Sequence, residues 1–174
     1  MSSMRKALAG VSLALLCSLP LAAFAAAPKV YGWVEDGILE PEHVNVKLKL
    51  DTGALTSSMD AQQLRRFSKG GEKWVRFNVE VKDTKTDEWV VLPFERRVER
   101  NVKVRGAGGA DHRPVVLMQV CIGNHLLDEE FSLNNRSKML YPILIGRRTL
   151  EHLGAVDVSQ TFTTKPVCAK PAVN

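Results

Sequence analysis

Val44, Val46, Leu48 and Leu50 alternate with Asn45, Lys47 and Lys49. This period of two predicts a strand with one buried face. Trp74 to Lys82 repeats the pattern through Val75, Phe77, Val79 and Val81. The turn Asp83–Asp87 and a returning strand over Glu88–Phe94 then complete a hairpin. Pro93 predicts that the returning strand is an edge or ends there. A second hairpin is expected from Val98–Arg105 and Arg113–Ile122, joined by the glycine-rich tip Gly106–Asp111. Short strands follow at Glu130–Leu133, Met139–Ile145 and Ala155–Val158. Two short helices are expected. One starts near Ser58, where Asp60 and Gln63 have capping-box spacing, and stops at Lys69-Gly70-Gly71. The other spans Arg147–Leu153 and stops at Gly154. Lys29–Gly37 reads as a lead-in. Seven or eight short strands with no repeating βαβ pattern predict an all-β, barrel-like domain.

The strand Val44–Leu50 runs directly into Asp51-Thr52-Gly53-Ala54. A carboxylate at the end of a buried strand is costly unless it is hydrogen-bonded or shifts its pKa. A second apolar strand, Tyr141-Pro142-Ile143-Leu144-Ile145, ends at Gly146-Arg147 before a helix. Together the two stretches resemble the aspartic proteases of the retroviral type, in which D-T-G-A and I-G-R close two strands in this order. More closely, Lys49–Ser58, Arg113–Val116 and Leu133–Arg147 resemble a bacterial retropepsin-like family known under the label "ATP-dependent zinc protease". The resemblance covers roughly Tyr31 to Phe162.

That resemblance implies a retropepsin-like closed barrel with a flap hairpin and an endopeptidase that hydrolyses peptide bonds. Aspartic proteases need two carboxylates sharing one proton. The chain has one D-T-G, so the resemblance implies a homodimer in which Asp51 faces its twin across a two-fold axis. Thr52 would bond across that axis, and Gly53 would admit the substrate backbone. Ala54, Gly108, Gly109, Arg113 and Arg147 would line the substrate site, with Gly108 and Gly109 in the flap tip. Ile145 and Gly146 would support the catalytic loop. Leu55 stands where retroviral enzymes carry an acid that pairs with the arginine after I-G. Arg147 must therefore find another partner, such as Asp60, or face substrate.

The label names zinc and ATP, yet the chain has no H-E-x-x-H and no glycine-rich Lys-Ser/Thr phosphate loop. His43, His112, His125 and His152 lack metal-ligand spacing. No metal and no cofactor are expected. The label fits a neighbouring ligase of the ATP-grasp type, which adds glutamate to proteins, and so suggests acidic peptides as substrate. Arg96, Arg97, Arg100, Arg105 and Arg113 would suit such peptides; a solvated hairpin face is the plainer role for them.

The 174 residues suffice for one domain with a real core. Residues 1–25 read as a secretory signal peptide. Arg5 and Lys6 precede the apolar run Ala7–Leu19, and Ala23-Phe24-Ala25 offers a cleavage site. A periplasmic or secreted domain over 26–162 is expected, with no stable membrane span after cleavage and a loosely ordered tail over 163–174. The net charge of +5 falls to +3 without the two basic leader residues. No basic run with interleaved aromatics points to nucleic acid. Export allows a disulfide between Cys121 and Cys168, but the apolar strand around Cys121 favours a buried free thiol. Two other classes fit the same residues: a non-catalytic peptide-binding module, and a monomeric partner subunit of an envelope glutamate-ligation system.

Overall fold

The computed structural model describes residues 29–106 and 109–169. The leader over 1–25, Gly108 of the flap tip and the last five residues lie outside the described residues.

Among the described residues eleven strands and one short helix follow in chain order: β1 (Val30–Glu40), β2 (Val44–Leu50), β3 (Ser57–Asp60), β4 (Gln62–Lys69), β5 (Glu72–Lys82), β6 (Trp89–Arg97), β7 (Arg100–Gly106), β8 (Gly109–Ile122), β9 (His125–Asn134), β10 (Ile143–Ile145), α1 (Arg147–Leu150) and β11 (Ala155–Thr161). Eight strands form one mixed sheet in the order β11-β1-β2-β10-β3-β9-β8-β7. A further pairing of β1 with β8 closes six of them into a hydrogen-bonded ring. The mostly-β architecture expected from the alternating pattern is therefore present, with its closure supplied by the β1–β8 pair.

The remaining three strands form a separate sheet, β4-β5-β6. Its apolar face, Val75, Phe77, Val79 and Val81 of β5 with Leu92 and Phe94 of β6, joins Leu48, Met59, Phe131 and Ile143 of the ring in one buried cluster. The rings of Phe77 and Phe94 lie 5.6 Å apart.

Two expected elements differ. The first helix is absent: Ser57–Asp60 and Gln62–Lys69 are strands β3 and β4. Gly70 and Gly71 both take positive φ, 60° and 81°. They return the chain tightly, so β4 pairs antiparallel with β5 rather than coiling. Asp60 caps no helix; its carboxylate accepts from the Arg136 amide at 2.5 Å and from Gln62 Nε2 at 2.7 Å. The lead-in is also a strand. β1 is buried on both faces and pairs with β2, β8 and β11. Gly37 makes this possible, because a Cβ there would stand 2.3 Å from Leu48 Cδ1. Its glycines and the acidic pair Glu35-Asp36 hide the alternation.

Residues 163–168 are tied to the body of the fold by hydrogen bonds and a disulfide. Glu35 is fully buried and accepts hydrogen bonds from Gly32 N, Thr163 N and Oγ1, and Thr164 N and Oγ1. Burial pushes its carboxyl up, but these donors outweigh that and hold it below the usual glutamate range. Cys168 is disulfide-bonded to Cys121, so Cys121 is not the free thiol its strand suggested. The tail that lies over β8 brings the second sulfur within reach.

The disulfide closes a 47-residue separation. Constraining the unfolded chain over that span is worth about 4 kcal/mol in the chain-entropy picture. Reductant should therefore lower the unfolding midpoint of the wild type and leave that of Cys168→Ser unmoved, as read by denaturant titration. The Glu35 network adds stability that is complete above the unfolded glutamate pKa. It is lost as pH falls through the lower folded value, and Glu35→Gln should flatten this acid limb.

Candidate active site

The site is built where two parallel strands end side by side. β10 pairs with β2 in the register Ile145↔Leu50, so the residues after each strand meet. The Asp51 amide donates to Ile145 O at 2.9 Å, and the Arg147 amide donates to Ala54 O at 2.9 Å. Gly146 sits under the loop: a Cβ there would lie 2.5 Å from the Thr56 carbonyl carbon. Its amide donates to Ser57 Oγ at 3.0 Å. Ser57 Oγ is 2.8 Å from Thr149 Oγ1, which donates to Glu129 Oε2 at 3.2 Å. A single arrangement satisfies all three contacts: Ser57 donates to Thr149, and Thr149 to the carboxylate. Both hydroxyls are buried.

Asp51 is thereby held in a loop whose following residues, Ala54, Leu55 and Thr56, line a cleft that Asp51 itself does not line. Its Oδ1 accepts from the Gly53 amide at 2.9 Å, and its Oδ2 lies 3.1 Å from Lys49 Nζ. Burial raises its pKa, but Lys49 and the amides of Gly53 and Ala54 outweigh burial and hold it below the ordinary aspartate value. Thr52 and Gly53 are exposed at the tip of the loop, and Leu55 is half exposed. Arg147 Nη1 donates to Thr52 O at 2.9 Å and Gly53 O at 3.2 Å. It thus caps the carbonyls of the Asp51 loop, and Asp60 is not its partner.

The cleft has a volume of about 500 Å³. Ala54, Leu55 and Thr56 form one wall, and the β7–β8 hairpin forms the other through Val102, Lys103 and Val104. This is the hairpin expected to act as a flap. Gly109, opposite Gly106 in its register, has φ 105°, a backbone conformation suited to glycine. Arg113 lines the cleft and pairs with Asp111 at 2.6 Å. Of the other arginines singled out from sequence, Arg100 also lines it. Arg96 and Arg97 do not: they sit on β6, Arg96 over the Phe94 ring and Arg97 between Glu72 and Glu99. The Arg105 side chain lies outside the described residues.

Sequence reasoning passed over Lys49, Ser58, Arg136 and Arg148. Lys49 was within reach, because residues two apart on a strand share a face and Lys49 must flank Asp51. Arg136 carries no such periodicity. It sits in the turn before β10 and reaches the cleft through the fold alone. Among the described residues no group of three His, Cys, Asp or Glu side chains is placed to hold a metal. His43 instead contacts Glu40, and His152 contacts Glu129.

Comparison with known proteins bears on the fold and the family. Lpg0085, a protein of unknown function from Legionella pneumophila whose crystal structure is known, superposes with a TM-score of 0.65 at 36% sequence identity, over 78% of this chain and 98% of that one. A protein of Shewanella halifaxensis named "Probable alpha-L-glutamate ligase" is 34% identical over 119 residues, which is 67% of this chain and 25% of that protein. One of the same name from Desulfotalea psychrophila is 30% identical over 106 residues, 60% of this chain and 22% of that protein. The chain thus spans about a quarter of the length of these curated relatives. Residues 30–166 match the family described as RimB-like, retropepsin-like aspartic endopeptidase RimB, and the chain belongs to that RimB-like family.

Proposed function

We propose that this chain is one subunit of a homodimeric aspartic endopeptidase that works outside the cytoplasm on acidic peptides. The observation that carries the reading is Asp51 itself. It is an aspartate held by backbone amides at the end of a core strand, supported from below by Ile145 and Gly146, with its loop tip exposed and a peptide-sized cleft beside it.

In the proposed dimer a second copy's Asp51 lies across the exposed Thr52-Gly53 tip. One carboxylate is ionised and takes a proton from water, whose oxygen bonds to the scissile carbonyl carbon. The other is protonated and donates to the carbonyl oxygen. Collapse of the tetrahedral adduct breaks the C–N bond, and the amine leaves with a proton from the dyad. Lys49 favours the ionised member; the like charge of the second aspartate disfavours ionising both. Arg147 holds the two carbonyls behind Asp51 and so keeps the loop in register for this exchange.

Acidic substrates are supported by the cleft's cations, Arg100, Lys103, Arg113, Arg136 and Arg148. The names of the curated relatives support glutamate-bearing peptides in particular. The leader pattern and the Cys121–Cys168 disulfide support an exported location.

Asp51→Asn should lower peptide hydrolysis by about a thousandfold or more while leaving the unfolding midpoint close to wild type. Wild-type turnover in that variant would overturn the mechanism. Chelation with EDTA should leave hydrolysis unchanged, and sedimentation of the active protein should give a dimer. Lys49→Met removes the cation that holds Asp51 low. The Asp51 pKa should then rise, and the acid limb of kcat/KM should move to higher pH. A limb that stays in place would remove Lys49 from the dyad's titration.

A further inference from the structure

Arg136 is a buried guanidinium, 8% exposed, on the wall of the cleft beside Asp51. Its Nε donates to Tyr141 O at 3.2 Å. Its backbone amide, not its side chain, binds Asp60 Oδ1. Among the described residues no carboxylate lies within ion-pair distance of its terminal nitrogens. Its arginine neighbours are different. Arg100 pairs with Glu130 through two nitrogens, Arg113 pairs with Asp111, and Arg148 is 4.0 Å from Glu130. A buried cation without an anion is expensive, and it is retained where something else supplies the anion. Burial pulls the Arg136 pKa down; the Asp60 charge opposes that, the Arg113 charge adds to it and the Asp51 charge opposes it, so the two carboxylates offset the burial only in part.

A second group on the same wall is also unpartnered. Ser58 is 6% exposed, and its Oγ has no hydrogen-bond partner. Its neighbours on the wall are accounted for, since Ser132 Oγ donates to Ser57 O at 3.0 Å. Ser58 and Asp60 lie on one face of β3, and Arg136 is anchored by its amide to Asp60. The cleft therefore holds a fixed guanidinium and a free hydroxyl on one wall, next to the catalytic carboxylate. A carboxylate accepts from both, and Arg presents a planar fork that matches it.

We infer that Arg136 and Ser58 form a carboxylate receptor that selects the acidic residue seated beside Asp51. The inference rests on the reading above that this cleft receives a peptide. It names the two side chains that set specificity, where Arg100, Lys103, Arg113 and Arg148 supply a more diffuse field. The carboxylate can come from a glutamate or aspartate side chain or from a peptide C-terminus; the receptor chemistry is the same.

Binding is best measured in Asp51→Asn, where no hydrolysis consumes the peptide. The probe is a fluorescein-labelled peptide of alternating Glu and Ala, with its Gln-for-Glu counterpart and a C-terminally amidated form of each, read by anisotropy. The Glu peptide should bind at least tenfold tighter than the Gln peptide if a side chain is read. The free C-terminus should bind at least tenfold tighter than the amide if the terminus is read. Adding Arg136→Gln should abolish that preference, Arg136→Lys should restore part of it, and Lys85→Gln, an equal charge lost from an exposed turn, should leave it intact. Ser58→Ala guards against misfolding of the arginine variants. It removes a buried hydroxyl with no partner, so the unfolding midpoint should hold or rise while the preference for the carboxylate falls. Equal binding of all four peptides, or an undiminished preference in Arg136→Gln or in Ser58→Ala, overturns the receptor. A preserved preference without hydrolysis by the wild type would instead overturn the protease reading and leave the receptor standing.

Discussion

The hydrogen bond from the Asp51 amide to Ile145 O joins the ends of β2 and β10, and the candidate site depends on it. Two parallel strands can end side by side only where both following segments find partners for their freed backbone groups. Here each segment satisfies the other. Arg147 N reaches Ala54 O, Arg148 N reaches Leu55 O, and the Arg147 side chain takes the carbonyls of Thr52 and Gly53. Gly146 is required because the chains approach too closely for a Cβ. The carboxylate is consequently fixed by backbone on rigid strands, the kind of support that positioned chemistry needs.

Charge is distributed around that fixed point in a graded way. Lys49 touches Asp51 directly and favours its ionised form. Farther along the cleft Arg100, Arg148 and Arg113 are paired with Glu130 and Asp111. Among the described residues Lys103 and Arg136 have no such partner; Lys103 is exposed, and the burial of Arg136 makes its charge more consequential, because screening by water is weaker there.

The far side of the ring is held by different means. β1 carries pairings to β2, β8 and β11, and its buried Glu35 and the Cys121–Cys168 disulfide together tie residues 163–168 across it. A buried carboxylate is tolerable there because backbone amides and hydroxyls of Gly32, Thr163 and Thr164 all donate to it.

The sequence by itself determined what local periodicity and short motifs can encode. The alternation of β2 and β5 and the strand-to-D-T-G and strand-to-I-G junctions express themselves within about a dozen residues, and the two hairpins join neighbouring segments; each stands in the structure. The tertiary structure decided what depends on partners distant along the chain. Gln62–Lys69 has a helix-compatible composition and became a strand because β5 lay alongside it. Val30–Glu40 shows no clean period because side chains on both of its faces are buried. Cys121 paired because the chain's end crosses β8. Arg147 turned to two carbonyls because Leu55 offers no acid, and Arg136 entered the cleft from a turn whose sequence marks only an exposed loop. Periodicity reports the face a residue presents to its own element; the groups that face it belong to other elements, and the fold alone brings them together.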